Sequence, residues 1–514
     1  MKEFVVALAA VTAMTGSAQA ADLAAQPYIK APAAVASWTG FYVFGGGGGG
    51  LWTADSNVVV TGPGAFGPLP PPGTALSRDL HLGGSGWFGT VGAGYDWQFS
   101  KWVAGVFADA QFGEISGSLS NTATEGREKL RTSYAAGARL GYLVAPNVLS
   151  YVNAGYSGSE WSGTTLSAVD VPVAISTTPS FRRDGWFVGG GVENSLNIFG
   201  VTAPGWFMKT EYRSAFYNRI SLPETFVPAI GGGLSGTGLT FKPWTQTIST
   251  SLVYRFNSTV PTGTAAEVAA RPYTKAPSAE SVANWTGFYA FGGGGGGLWN
   301  ADSNAVVAPG FPVANPLTRD VRFGGSGWFA TVGAGYDWQF NGTWVAGVFA
   351  DGQFGDLRGS LGNQFFLGTE GTEKLRTSYA AGARLGYLVA PNVLSYVNAG
   401  YTGSEWSGTI QSLQTPGGGA LLTTPAFHRD GWFVGGGVEN SLNILGVAAP
   451  GWFMKTEYRS AFYDRISLRE NLLPGNAGPL FPFSGVTASF KPWVQTISTS
   501  LVYRFNWAGS AAKY

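Results

Sequence analysis

The 514-residue chain is one text written twice, and this duplication limits its fold more than any other property. Trp38-Thr-Gly-Phe-Tyr42, Val43-Phe44, the glycines Gly45 to Gly50 and Leu51-Trp52 form the opening stretch. They return as Trp285-Thr-Gly-Phe-Tyr289, Ala290-Phe291, Gly292 to Gly297 and Leu298-Trp299. The material between returns too, so Trp38 to Phe256 is the first unit and Trp285 to Phe505 the second. Whatever one unit folds into, the chain must contain it twice or merge the two.

Within a unit the period is two. Trp87, Gly89, Val91, Ala93, Tyr95, Trp97 and Phe99 share one face, and Thr90, Gly92, Gly94, Asp96 and Gln98 share the other. Trp102 to Gly113 and Leu130 to Val144 repeat the pattern. So do 38–53, 148–161, 185–198, 206–217 and 244–256. These are β-strands with one apolar and one polar or small face, eight to a unit. Ser100-Lys101, Ala145-Pro-Asn147 and Phe199 to Gly205 are short connections, whereas 54–83, 116–127, 162–180 and 218–243 are long. Short turns at one end and long loops at the other predict an all-β fold, a transmembrane up-and-down antiparallel β-barrel.

The composition agrees. With 78 Gly, 19 Trp, no Cys and 12% charged residues, the chain suits lipid better than a soluble globule, and a net charge of +1 argues against nucleic acid as a partner. Residues 1–20 read as a signal peptide: Lys2, an apolar core from Phe4 to Met14, and the small-x-small site Ala18-Gln-Ala20. Residues 21–37 read as a periplasmic tether, 38–257 and 285–506 as the two barrel units, 258–284 as a linker and 507–514 as a tail. The linker stretch Ala265 to Pro277 repeats the mature start, as if a second mature protein were fused to the first.

The polar face of the first unit carries Asp96, Asp109, Arg131, Arg139, Glu193, Lys209, Glu211, Arg213 and Arg255, four acids and five bases. At mid-depth in lipid each base would cost about 2–4 kcal/mol and each acid somewhat less, so all nine are expected to point inward. Lys455, Glu457 and Arg459 repeat Lys209, Glu211 and Arg213 in the second unit. An eight-stranded barrel is just wide enough for side chains to fill, so paired charges predict a plugged interior in each unit. Two tandem eight-stranded barrels are therefore expected. One sixteen-stranded barrel is the alternative, and it would enclose water and act as a diffusion porin for small solutes.

The tether Pro27-Tyr-Ile-Lys-Ala-Pro32, the Trp-Thr-Gly-Phe-Tyr strand with its glycines and the closing Leu252-Val-Tyr-Arg-Phe-Asn257 together carry a resemblance. The chain resembles the small outer-membrane immunogenic, porin-like β-barrel proteins of alphaproteobacteria, within the OmpA-like barrel superfamily, over the length of each unit. The resemblance implies the cell outer membrane, surface-exposed loops, and insertion guided by a closing strand that ends in an aromatic. Phe256 and Phe505 occupy those positions. The implied partners are outer-membrane lipid, the barrel-insertion machinery, and host or envelope surface components met by the loops.

No enzyme, cofactor or metal site is expected. The glycine runs lack the Lys-Ser/Thr of a phosphate loop. The two histidines, His81 and His428, stand where the other unit has Arg322 and Arg182, so no duplicated His-based site exists.

Overall fold

A computed structural model describes residues 37–65, 67–121, 123–198, 201–256, 283–307, 316–363, 368–444, 447–474 and 483–505. The signal peptide, nearly all of the tether and linker, and the tail lie outside the described residues.

Eight long strands form the first unit: β1 (Gly40–Ser56), β2 (Leu80–Phe99), β3 (Trp102–Ser120), β4 (Thr124–Ala145), β5 (Val148–Trp161), β6 (Phe181–Ile198), β7 (Val201–Tyr217) and β8 (Leu234–Arg255). Eight more form the second: β9 (Gly287–Ser303), β10 (Val321–Phe340), β11 (Trp344–Asn363), β12 (Thr369–Ala390), β13 (Val393–Trp406), β14 (Phe427–Ile444), β15 (Val447–Tyr463) and β16 (Phe483–Arg504). Each strand pairs antiparallel with the next in its unit, and β1 also pairs with β8 from Tyr42↔Arg255 to Asp55↔Lys242. In the second unit β9 pairs with β16 from Tyr289↔Arg504 to Asp302↔Lys491. Each set of eight thus returns on itself. A sixteen-stranded ring would pair β8 with β9, and β8 is instead taken by β1 and β7.

The glycine run makes this closure tight. A Cβ on Gly48 would sit 2.0 Å from the Ile248 carbonyl oxygen, and one on Gly295 would sit 1.9 Å from that of Ile497. Backbones approach so closely there that only glycine fits.

The outer wall is apolar between two aromatic girdles. Trp87, Phe112 and Trp186 mark one level, and Phe41, Trp97, Phe99, Trp102 and Phe256 the other, all exposed. Val91, Val106, Leu140, Val152 and Leu252 are exposed between them. Along β2, Trp87 and Trp97 are ten residues apart; with the rise of a tilted barrel strand this spans roughly 25 Å, the height of an outer-membrane apolar band.

The long connections are more ordered than the sequence suggests. Strands run well past the Trp87 girdle, and 164–168, 174–178 and 220–226 form short added strands. The reason is a second core above the girdle, where Trp52, Leu82, Ile115, Leu119, Leu130, Trp161, Leu222, Leu239 and Phe241 are buried. Their inward positions come from alternation continued beyond the lipid band, with a one-residue change of parity between Leu130 and Thr132.

Candidate functional site

Two ion networks fill the interior of the first barrel. In the lower one, Asp96 (β2), Arg139 (β4), Glu193 (β6) and Arg255 (β8) meet across the lumen from alternate strands. Arg139 Nε donates to Asp96 Oδ1 at 2.9 Å and its Nη1 to Glu193 Oε2 at 3.1 Å. Arg255 Nε donates to Glu193 Oε1 at 2.8 Å, and its Nη1 lies 2.8 Å from Asp96 Oδ2. In the upper network Arg213 Nη1 donates to Asp109 Oδ1 at 2.8 Å and Arg213 Nη2 to Glu211 Oε1 at 2.9 Å. Lys209 Nζ reaches Glu211 Oε2 at 3.4 Å, and the Tyr151 hydroxyl donates to the same oxygen at 2.8 Å.

Aromatic rings fill the gaps between these charges. Arg139 lies 4.4 Å from the Tyr42 ring, Arg255 4.4 Å from Trp38, Lys209 3.4 Å from Phe44 and Arg213 4.6 Å from Phe187. Charges buried this deeply persist only when paired and hydrogen-bonded.

Arg131 is the exception to the expected inward set. Counting by twos from Arg139 puts it inside, but Leu130 pairs with Trp161 and Thr132 with Glu160, so the register slips at residue 131. The extra residue is a β-bulge, and it turns Arg131 to the exposed outer wall. Removing Arg131 from the expected five bases leaves four acids and four bases inside. The sequence signal was the change of inward parity, from Glu128 and Leu130 above the bulge to Ser133, Ala135 and Arg139 below it.

The second barrel repeats the arrangement. Asp337, Arg384, Glu439 and Arg504 form its lower network, and Asp351, Lys455, Glu457 and Arg459 its upper one. Both closing aromatics, Phe256 and Phe505, are exposed on the outer wall.

Above the girdle several buried carboxylates have neutral partners instead. Glu128 accepts from Thr164 Oγ1 at 2.7 Å and from Ser162 Oγ at 3.1 Å. Glu224, on the added strand 220–226, accepts from Asn121 Nδ2 at 3.1 Å. Its counterpart Glu470 accepts from Asn363 Nδ2 at 2.5 Å and from Gln411 Nε2 at 3.3 Å. With no cation beside it, burial pushes Glu470 up to about 7, and burial raises Glu224 as well.

The two barrels touch along a seam at their long-loop ends, and two of its contacts are made twice with the partners exchanged. Arg78 N donates to Gln414 O at 2.7 Å and Arg319 N to Val169 O at 2.8 Å. His81 N donates to Ser360 Oγ and Arg322 N to Ser118 Oγ, both at 2.9 Å. Leu82 and Phe323, equivalent residues, form the one β-bridge between the barrels among the described residues. This reciprocity is the geometry of a two-fold related pair.

The remaining sites offer little chemistry. His81 Nδ1 lies 2.6 Å from Asp55 Oδ1, and His428 Nε2 lies 2.9 Å from Asp430 Oδ1 on the outer wall. Among the described residues no cluster of three metal-ligating side chains occurs. One cavity bordered by the inward-facing Gln353 and Thr496 has about 10 Å³, room for a single water at most.

Residues 6–256 match the family described as outer membrane protein beta-barrel domain. The 31 kDa outer-membrane immunogenic proteins of Brucella melitensis and Brucella suis are each 30% identical over 143 residues, which is 27% of this chain and 56% of theirs. The match thus spans little more than half the length of those relatives. Among solved structures, Neisserial surface protein A aligns over 42% of this chain and 98% of its own, with 13% identity and a TM-score of 0.21. A Pseudomonas aeruginosa FadL homologue aligns over 90% of each chain, with 11% identity and a TM-score of 0.25.

Proposed function

We propose that this chain, an outer-membrane β-barrel protein similar to the 31 kDa immunogenic proteins of Brucella, serves as a closed structural element that displays ordered loops at the cell surface. The observation that carries this reading is the filled lumen. In each barrel there are two networks of two acids and two bases: the lower ties four alternate strands together and the upper ties two opposite strands across the axis. An apolar core lies above them. A solute crossing this interior would have to separate ion pairs that have no water to replace their partners.

The loop ends are the surface left for recognition. They carry short paired strands on a packed core, which gives the displayed surface a fixed shape. Host or envelope components are the partner class that such a surface suits. Phe256 and Phe505, each at the end of a closing strand, are the positions that the insertion machinery would read.

Single-channel recording in planar bilayers tests the closed-barrel reading. The expected result is a silent membrane or rare flickers. Stable steps in the nanosiemens range would overturn it in favour of a diffusion porin.

A further inference from the structure

The seam leaves a cavity of about 500 Å³ open to the outer wall at the level of the upper aromatic girdle. Its walls come from both barrels, with Trp87, Ser116 and Arg127 from the first and Arg322 and Trp493 from the second. Trp87 is 71% exposed and so stands at the boundary between hydrocarbon and headgroups. We propose that this cavity holds the phosphate-bearing headgroup of an outer-leaflet lipid, with Arg127 and Arg322 as its ligands.

The charge around the cavity favours an anion. Arg127, Lys129 and Arg131 all sit on the outer side of β4, and Arg322 joins them from β10. Two carboxylates oppose these four cations, and both are engaged: Glu114 pairs with Lys129, and Asp302 accepts from Arg322 Nε at 2.6 Å. Two positive charges remain in excess. Arg127 is exposed, and its Nη2 donates to a neutral acceptor, Ser116 Oγ, at 2.6 Å. Arg322 is held in place by Ser85 Oγ at 3.0 Å and Ser116 O at 3.2 Å, so the cavity is pre-shaped on its cationic side. Cations at headgroup depth attract anionic lipid.

Sequence differences at its two-fold mate make the site unique. The mate, on the other side of the seam, has His81 in place of Arg322 and Thr372 in place of Arg127. There the residue equivalent to Ser116 is Arg358, which is paired with Asp356. One strongly held lipid per chain is therefore expected.

Native mass spectrometry of the full chain in a neutral detergent, titrated with purified diphosphorylated lipid A, tests this. Wild type should bind one equivalent, with phosphatidylcholine binding far more weakly. Arg127→Thr and Arg322→His each install the residue that the mate already tolerates. Each should weaken binding about fivefold, and together about 25-fold. Arg182→Gln, which alters an exposed cation elsewhere on the outer wall, should leave binding unchanged. Excess inorganic phosphate should not displace the lipid. The proposal is overturned by equal binding in the double variant, by two equivalent sites in wild type, or by displacement at millimolar phosphate, which would indicate a site for any small anion.

Discussion

Inside, the two barrels are near copies; at the rim they diverge. Arg213 meets Asp109 at 2.8 and 2.5 Å, and Arg459 meets Asp351 at the same two distances. Arg139 Nε to Asp96 and Arg384 Nε to Asp337 are both 2.9 Å. On the outer rim, by contrast, Arg127 corresponds to Thr372, Ser116 to Arg358, Arg182 to His428 and His81 to Arg322. A change inside strands a buried charge, whereas a rim charge can turn to water. The lumen is therefore the part that cannot drift, and the rim is where two copies can acquire different surfaces.

The largest expected effect tests that equivalence directly. Asp109→Ala leaves Arg213 with Glu211 alone and should lower stability by about 3–5 kcal/mol, and Asp351→Ala should do the same in the second barrel. Heat-dependent gel mobility of each variant reads the loss. Similar losses sharpen the comparison, and a large loss in only one barrel breaks it.

A smaller effect sits above the girdle, where Glu470 has neutral partners. Its folded value is raised, so between about 4.5 and 7 the folded protein holds a proton that the unfolded chain has released. Stability must then fall as pH rises through that window, by at most about 3 kcal/mol, and stay low above it. Glu470→Gln should remove this residue's share of the slope in thermal melts between pH 4.5 and 8, leaving the shares of Glu128 and Glu373, which burial also pushes up to about 7. An unchanged slope would show that the carboxylate is solvated.

The smallest effect belongs to the rim. Arg182 and Glu160 pair at 2.7 Å with the arginine side chain 76% exposed. Arg182→Gln should change melting by no more than about 1 kcal/mol. A larger loss would mean that the rim is built as tightly as the lumen.

Much of this protein is legible in its residues. Duplication gave the number of units, and strict alternation in Trp87–Phe99 and its neighbours gave strands with one lipid face. The cost of charge in lipid sent Asp96, Asp109, Glu193 and Glu211 inward. These are local or one-body arguments, and a sequence contains all they need. Arg131 shows where they stop. A bulge opposite Trp161 and Glu160 shifts parity by one residue, and the pairing with β3 and β5 places it at Arg131. The partners within each ion network, the apolar core around Trp52 and Phe241, and the reciprocal seam at Leu82 and Phe323 also join residues far apart in the chain. Closure was decided the same way. The sequence allowed the Trp285 strand either neighbour, and the backbone register of Gly295 against Ser498, with no space for a Cβ, settles that β9 closes on β16. Alternation reports which way a side chain points; only the folded barrel reports what it meets there.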